Sequence, residues 1–221
     1  MILRIGHRGA AGHAPENTLL SIRKAIALGV DMVELDLRGT KDGHCVLLHD
    51  GRVDRTTNGR GVVAEMALDE VRRLDAGEGE LIPTLGEALE VANGRVDVIL
   101  EIKSPGLAEA VATAVRQSGF TGRILYASFL HHELGSVRAA IPSANTMALL
   151  ERGSPLTPAS LGALNVSWVG LPFDPLIREN VESLHAVGFP VFVYTANDPA
   201  DIAGVKSLGV EGIISDFPER I

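Results

Sequence analysis

Four short stretches of the 221-residue chain hold side chains whose types and spacing could do chemistry: His7-Arg8, Glu34-Leu35-Asp36, His49-Asp50 and Glu101-Ile102-Lys103. Each closes or continues an apolar run, so each reads as the end of a β-strand, where residues i and i+2 share a face. Glu34 and Asp36 therefore point the same way, and so do Glu101 and Lys103. Three carboxylates in an apolar setting repel one another and resist ionisation unless a cation lies among them. One divalent ion that prefers oxygen ligands, Mg²⁺ or Ca²⁺, is the natural partner. His7 and His49 beside it suit general acid and general base duty, because imidazole titrates near neutrality. Arg8 and Lys103 suit an anion, above all a phosphate.

The bland alternative is that these are rim charges tied up in salt bridges with Arg8 and Lys103, and for any one residue it is the better reading. It weakens because two separate strands each present a charged pair, in alternation with Leu35 and Ile102. Metal ligation by a histidine is a rival use of His7 and His49, less favoured because three carboxylates already satisfy a hard ion. Glu16 and Asn17 read either as support for the cluster or as loop and N-cap residues of the first helix. Asp50 reads either as a site residue or as part of the hairpin. The other histidines, at 13, 44, 131, 132 and 185, fall in loops or on helix faces.

The elements that position these residues follow a repeated pattern. Helix-like stretches end in Gly29, Gly119, Gly188 and Gly209 and run at once into apolar residues, which marks a helix stop followed by a strand. Strand candidates cover 2–6, 32–37, 45–49, 96–102, 123–127, 146–150, 167–171, 191–195 and 212–215, mostly near-continuous apolar runs as in strands buried on both faces. Only residues 38–44 separate the second run from the third, too few for a parallel crossover. The third must return antiparallel, with a turn near Lys41 and Asp42 that sets His49 roughly opposite Glu34. The remaining eight strands alternate with helices, which predicts an α/β fold of the (β/α)₈ TIM-barrel type with a hairpin and short insertion after strand 2. An open doubly wound sheet is the alternative. No compositional break divides the chain, so residues 1–221 read as one domain, and 51–80, with turns at its glycines, as a small insertion at the mouth.

Composition excludes several classes of function. Twenty Lys and Arg against 28 Asp and Glu leave a net charge of −8, which disfavours nucleic acid as a partner. A single Cys45 excludes an internal disulfide and a multi-cysteine zinc site. No apolar run reaches membrane-spanning length and the N-terminus does not read as a signal peptide, so a cytoplasmic protein acting on a small molecule is expected.

These residues, taken in order, resemble the glycerophosphodiester phosphodiesterase family. The resemblance rests on His7-Arg8-Gly9 with Pro15-Glu16-Asn17-Thr18, Glu34-Leu35-Asp36, His49-Asp50, Arg55-Thr56-Thr57-Asn58-Gly59, Ile82-Pro83-Thr84-Leu85, Glu101-Ile102-Lys103, Ser128-Phe129 and Gly212-Ile213-Ile214-Ser215-Asp216. It implies a phospholipase C-like phosphodiesterase barrel and hydrolysis of glycerophosphodiesters to sn-glycerol 3-phosphate and an alcohol such as choline, ethanolamine or glycerol. It also implies Glu34, Asp36 and Glu101 as metal ligands, His7 and His49 as the acid/base pair, and Arg8 and Lys103 as phosphate contacts, with Glu16 in support. Tyr194-Thr195-Ala196-Asn197 departs from the family's common Trp-Thr-Val-Asn, and Glu211 and Ser215 stand where Asp and Thr are common. Ser128, Phe129, Tyr194 and Asn197 are expected to face the organic parts of the substrate. The residues leave open whether water or the glycerol 2-hydroxyl attacks phosphorus, and which histidine is the acid. Action on lysophospholipids in the manner of a phospholipase D is the runner-up, and a non-catalytic binding barrel a more distant one.

Overall fold

A computed structural model of the chain describes residues 2–153, 157–174 and 177–221. Strand β1 (Leu3–Gly6) leads through α1 (Leu19–Ala27) to β2 (Met32–Gly39) and β3 (Cys45–Leu47). A segment with a 3₁₀ turn at Val63–Glu65 and the single-turn α2 (Leu68–Val71) precedes α3 (Leu85–Ala92). Strands and helices then alternate: β4 (Asp97–Ile102), α4 (Ala108–Ser118), β5 (Ile124–Ser128), α5 (His131–Ala140), β6 (Asn145–Leu149), α6 (Pro158–Leu164), β7 (Trp168–Pro172), α7 (Arg178–Ala186), β8 (Val191–Tyr194), α8 (Pro199–Lys206) and β9 (Gly212–Ser215). β1, β2 and β4 to β9 are parallel, and β1 pairs with both β2 and β9. That double pairing closes the sheet into an eight-stranded barrel and removes the open-sheet alternative. The expected helix stops hold, with Gly29, Gly119, Gly188 and Gly209 all in left-handed backbone at φ between 60° and 85°.

Strand periodicity explains what fills the barrel. Ile5, Met32, Ile99, Leu125, Ala127, Met147, Leu149, Phe192 and Ile214 form one interior cluster. Their sequence neighbours Val33, Leu35, Val98 and Leu100 instead join the cluster beneath the helices. Following the inward positions toward the carboxyl ends, Ile5 leads to His7, Met32 to Glu34 and Asp36, Ile99 to Glu101 and Lys103, and Ile214 to Asp216. The inward face turns from apolar to charged at the carboxyl-terminal end of the barrel, the end where barrels of this kind carry their chemistry.

β3 returns antiparallel as expected, within one residue of the expected register. The loop is Lys41-Asp42-Gly43, closed by Thr40, whose N–H donates to the His44 carbonyl at 2.9 Å and whose carbonyl accepts from Gly43 N–H at 3.1 Å. Gly43 stands at φ +84°, the left-handed residue of a three-residue hairpin loop. Leu37 therefore pairs with Leu47, and Leu48 N–H donates to the Asp36 carbonyl at 3.0 Å. Continued outward, this register sets His49 opposite Leu35 rather than Glu34, beyond the end of β3. Residues 51–80 dock onto β3 through an apolar cluster of Val46, Leu48, Val53, Val63, Val71, Ala76 and Ile82.

Candidate active site

Strand register assembles the site. Gly6 pairs with Val33 and with Ser215, which puts His7, one step on, beside both Glu34 and Asp216. Asp36 pairs with Glu101. After β1 the chain turns sharply: Arg8 and Gly9 are both left-handed, at φ 51° and 87°, and a Cβ on Gly9 would collide with the Ser21 backbone of α1. This turn aims Arg8 N–H at Glu34 Oε2, 3.1 Å away, and lays the Arg8 side chain over Glu16 and Asp36. Asn17, also left-handed at φ 57°, donates through its amide to Asp36 Oδ2 at 2.8 Å and accepts from Asp36 N–H at 3.1 Å. The N-cap of α1 is Thr18, whose hydroxyl bonds Ser21 N–H, so Glu16 and Asn17 are free of capping and turn toward the site.

Glu34, Asp36 and Glu101 are all buried, and each offers a carboxylate oxygen within 4.8 Å of the other two. Burial, together with the charges of Asp36 and Glu101, pushes the Glu34 carboxyl up to about 8. Glu101 is raised for the same two reasons, burial and Asp36. Asp36 stays below its ordinary value despite burial, because Lys103 and Arg8 stand against it. Lys103 Nζ bridges Glu101 Oε1 at 2.5 Å and Asp36 Oδ1 at 3.2 Å. Among the described residues no hydrogen-bond donor reaches the buried Glu34 Oε1, and Glu34 lines a cavity of about 30 Å³ with His7, Glu101, Tyr194 and apolar side chains. A raised carboxyl with an orphaned oxygen in a three-carboxylate cluster is the donor set a divalent cation fits. Arg8 Nε is a buried donor with no hydrogen-bond partner among the described residues; it is ion-paired with Asp36 Oδ2 at 3.2 Å.

Each histidine leans on an aspartate. His7 Nδ1 and Asp216 Oδ1 are 2.6 Å apart, as are His49 Nδ1 and Asp50 Oδ1, so in both rings Nε2 is left for chemistry. Burial opposes protonation of His7, but the hydrogen bond to Asp216 and the charge of Glu34 outweigh it and hold its pKa above the ordinary value. His49 falls below its ordinary value, with burial the largest cause. Asp216 is fixed from behind by Asn197, which donates to Asp216 Oδ2 at 2.6 Å and accepts from Asp216 N–H at 2.8 Å and Ser215 Oγ at 2.9 Å. Arg55 holds Asp50 and Glu16 together, at 2.7 Å to each.

The structure thus brings His7, Arg8, Glu16, Asn17, Glu34, Asp36, His49, Asp50, Glu101 and Lys103 to one mouth. Phe129 and Tyr194 form an aromatic wall there, ring edge to face with centroids 6.0 Å apart, and Lys103 Nζ lies 5.7 Å from the Phe129 centroid. Ser128 is not at the mouth: it is fully buried, donating to the Ile102 carbonyl at 2.6 Å and accepting from Leu130 N–H at 3.0 Å. Asn197 is likewise spent, on Asp216. Two residues that sequence reasoning missed complete the site. Asp216 lies two positions beyond Ile214, so the inward alternation of β9 was the signal that could have found it. Arg55 comes from the insertion, where no local periodicity points to it.

A family model described as "Glycerophosphoryl diester phosphodiesterase family" matches residues 7–220. The chain belongs to this family. A glycerophosphodiester phosphodiesterase from Caldanaerobacter subterraneus subsp. tengcongensis is 36% identical, with 99% of this chain and 96% of that protein covered. A phosphodiesterase from Oleispira antarctica, solved in complex with the product sn-glycerol-3-phosphate, is 30% identical with a TM-score of 0.91, covering 98% of this chain and 94% of that one. The crystal structure of a glycerophosphodiester phosphodiesterase from Agrobacterium tumefaciens is also 30% identical, with a TM-score of 0.86, covering 100% and 98%. Membership makes the chain a phosphoric diester hydrolase. Among the described residues no helix is long and apolar enough to cross a membrane.

Proposed function

We propose that this protein hydrolyses glycerophosphodiesters to sn-glycerol 3-phosphate and an alcohol such as choline, ethanolamine or glycerol, using one divalent cation, Mg²⁺ or Ca²⁺. The observation that carries the reading is the meeting, at one barrel mouth, of two aspartate-backed histidines with a three-carboxylate cluster and two cations. The product bound in the Oleispira antarctica relative supports glycerol 3-phosphate as the phosphorylated half. Residues 1–221 act as one barrel domain, with 51–80 as an insertion at its mouth.

Glu34, Asp36 and Glu101 would hold the ion. When bound it supplies positive charge to the phosphodiester oxygens and to a hydroxyl of the substrate or water. Arg8 and Lys103 neutralise the phosphate as charge builds in the transition state. His49, kept neutral by burial, takes the proton of the nucleophile at Nε2 while Asp50 holds Nδ1. His7, held protonated by Asp216, gives its Nε2 proton to the departing alkoxide. Phe129 and Tyr194 wall the side where the organic parts lie.

Product analysis tests this. Glycerophosphocholine, incubated with the metal-stripped protein and then with added Mg²⁺ or Ca²⁺, should yield glycerol 3-phosphate and choline only with metal. Release of choline phosphate and glycerol would invert the assignment of the leaving group, and no turnover with either ion would end the proposal.

A further inference from the structure

Arg55 belongs to the insertion, yet its guanidinium reaches into both halves of the site. Nη1 and Nη2 donate to the two oxygens of Glu16 at 2.7 and 2.8 Å, and Nε donates to Asp50 Oδ2 at 2.7 Å. Glu16 in turn accepts from Arg8 Nη1 at 2.8 Å, and Asp50 holds His49 Nδ1 at 2.6 Å. One guanidinium therefore stands a single carboxylate away from the phosphate-binding arginine and a single carboxylate away from the proposed base. The insertion does not need this contact to dock, since its Val53, Val63, Val71 and Ala76 already seat it in the apolar cluster with Val46 of β3. The Arg55 side chain is 48% exposed, and ion pairs that exposed contribute little to stability. What a planar fork between two carboxylates does contribute is fixed geometry.

We infer that Arg55 is a positioning residue, through which the docked insertion sets His49 by way of Asp50 and Arg8 by way of Glu16. The segment 51–80 is thereby part of the catalytic apparatus rather than a cover over the rim. A residue that acts only through two others has a recognisable signature: once both intermediaries are altered, removing it costs nothing further.

The inference rests on the proposed diesterase reaction, so the test pairs turnover with a readout that needs none. Rates of glycerophosphocholine hydrolysis are compared for the wild type, Arg55→Gln, Arg55→Lys, the double variant Glu16→Gln/Asp50→Asn, and the triple variant that adds Arg55→Gln. Arg55→Gln should lower kcat/KM by roughly ten- to a hundredfold, the usual cost of a lost supporting contact. Arg55→Lys should stay close to Arg55→Gln, because one ammonium cannot fork to two carboxylates. The triple variant should match the double variant within about threefold. A further large loss in the triple variant, or wild-type rates in Arg55→Gln or Arg55→Lys, overturns the inference. Amide hydrogen exchange in Arg55→Gln should quicken across residues 49–55 while Val63 and Val71 keep their protection, and unchanged exchange at 49–55 also overturns it. If the wild type releases no glycerol 3-phosphate, the proposed reaction is what has failed, and the exchange measurement alone decides on Arg55.

Discussion

Replacing Glu34 by Gln should stabilise the metal-free protein while damaging metal binding, and the size of the gain should depend on pH in a calculable way. The folded-state carboxyl titrates at about 8 against an ordinary value of 4.5, because it is buried beside Asp36 and Glu101. Between those two values the folded protein holds a proton at Glu34 that the unfolded chain has lost, so its stability falls as pH rises. One pKa unit corresponds to about 1.4 kcal/mol, and the decline attributable to Glu34 between pH 5 and pH 7 comes to about 2.5 kcal/mol. Gln cannot ionise and keeps an acceptor for Arg8 N–H, which lies 3.1 Å from Glu34 Oε2. Its amide nitrogen also replaces the orphaned Oε1, at a cost that does not vary with pH. The pH dependence of the difference between the two proteins therefore reports the proton held at Glu34 and its close neighbours. Thermal unfolding in EDTA at both pH values is the assay, and the Tm of Glu34→Gln relative to wild type should rise by about 5–10 °C from pH 5 to pH 7. Mg²⁺ or Ca²⁺ should then raise the wild-type Tm and leave the variant nearly unmoved. A Tm difference that is the same at both pH values would refute the claim that the folded, metal-free protein holds Glu34 protonated.

Chelation should abolish turnover and re-addition of Mg²⁺ or Ca²⁺ restore it; full activity in protein shown by elemental analysis to hold no metal counts against the carboxylate cluster as an ion site. His7→Ala and His49→Ala should each lower kcat by ~10²- to 10⁴-fold with the fold retained, whereas His44→Ala, in the hairpin loop, should stay near wild type. Asp216→Asn removes the anion that holds His7 protonated, so the alkaline limb of the kcat/KM profile should move to lower pH, and an unmoved limb would exclude His7–Asp216 as the acid. Glycerophosphocholine, glycerophosphoethanolamine and glycerophosphoglycerol should be cleaved with kcat/KM within roughly tenfold of one another, because among the described residues the mouth carries two rings, Phe129 and Tyr194, set edge to face, rather than the multi-aromatic cage that selects a quaternary ammonium. A hundredfold preference among the three would reveal a recognition element at the mouth.

The barrel and most of its charged mouth were legible because both depend on local pattern. Helix, glycine and strand recur along the chain, and alternation alone puts Glu34 with Asp36 and Glu101 with Lys103. The residue-by-residue register of the hairpin was less legible, since Asp42-Gly43 marks a turn without saying that Gly43 takes the left-handed place in a three-residue loop. Ser128 and Asn197 carry polar groups near strand ends, which a sequence presents in the same way whether they face substrate or neighbouring chain. Only the partners tell: the Ile102 carbonyl and Leu130 N–H for one, Asp216 and Ser215 for the other. Arg55 was hidden for a related reason, because its partners lie 39 residues away at Glu16 and five away at Asp50.

The position of Asp216 shows how far the chemistry depends on closure. His7 and Asp216 are 209 residues apart, and they meet only because β9 pairs with β1 in a register that aligns Gly6 with Ser215. An open sheet in which β2 and β4 stayed neighbours, as they are here, would keep Glu34, Asp36, Glu101 and Lys103 together. It would part His7 from the anion that keeps it protonated. The cation cluster and the phosphate contacts are thus properties of neighbouring strands, while the acid is a property of the closed barrel. Asn197, just past β8, fixes Asp216 from behind at the β1–β9 seam through Ser215 and the Asp216 backbone. Loosening the seam should therefore weaken proton donation before it weakens metal binding, a separation of effects that a mere loss of global stability would not produce.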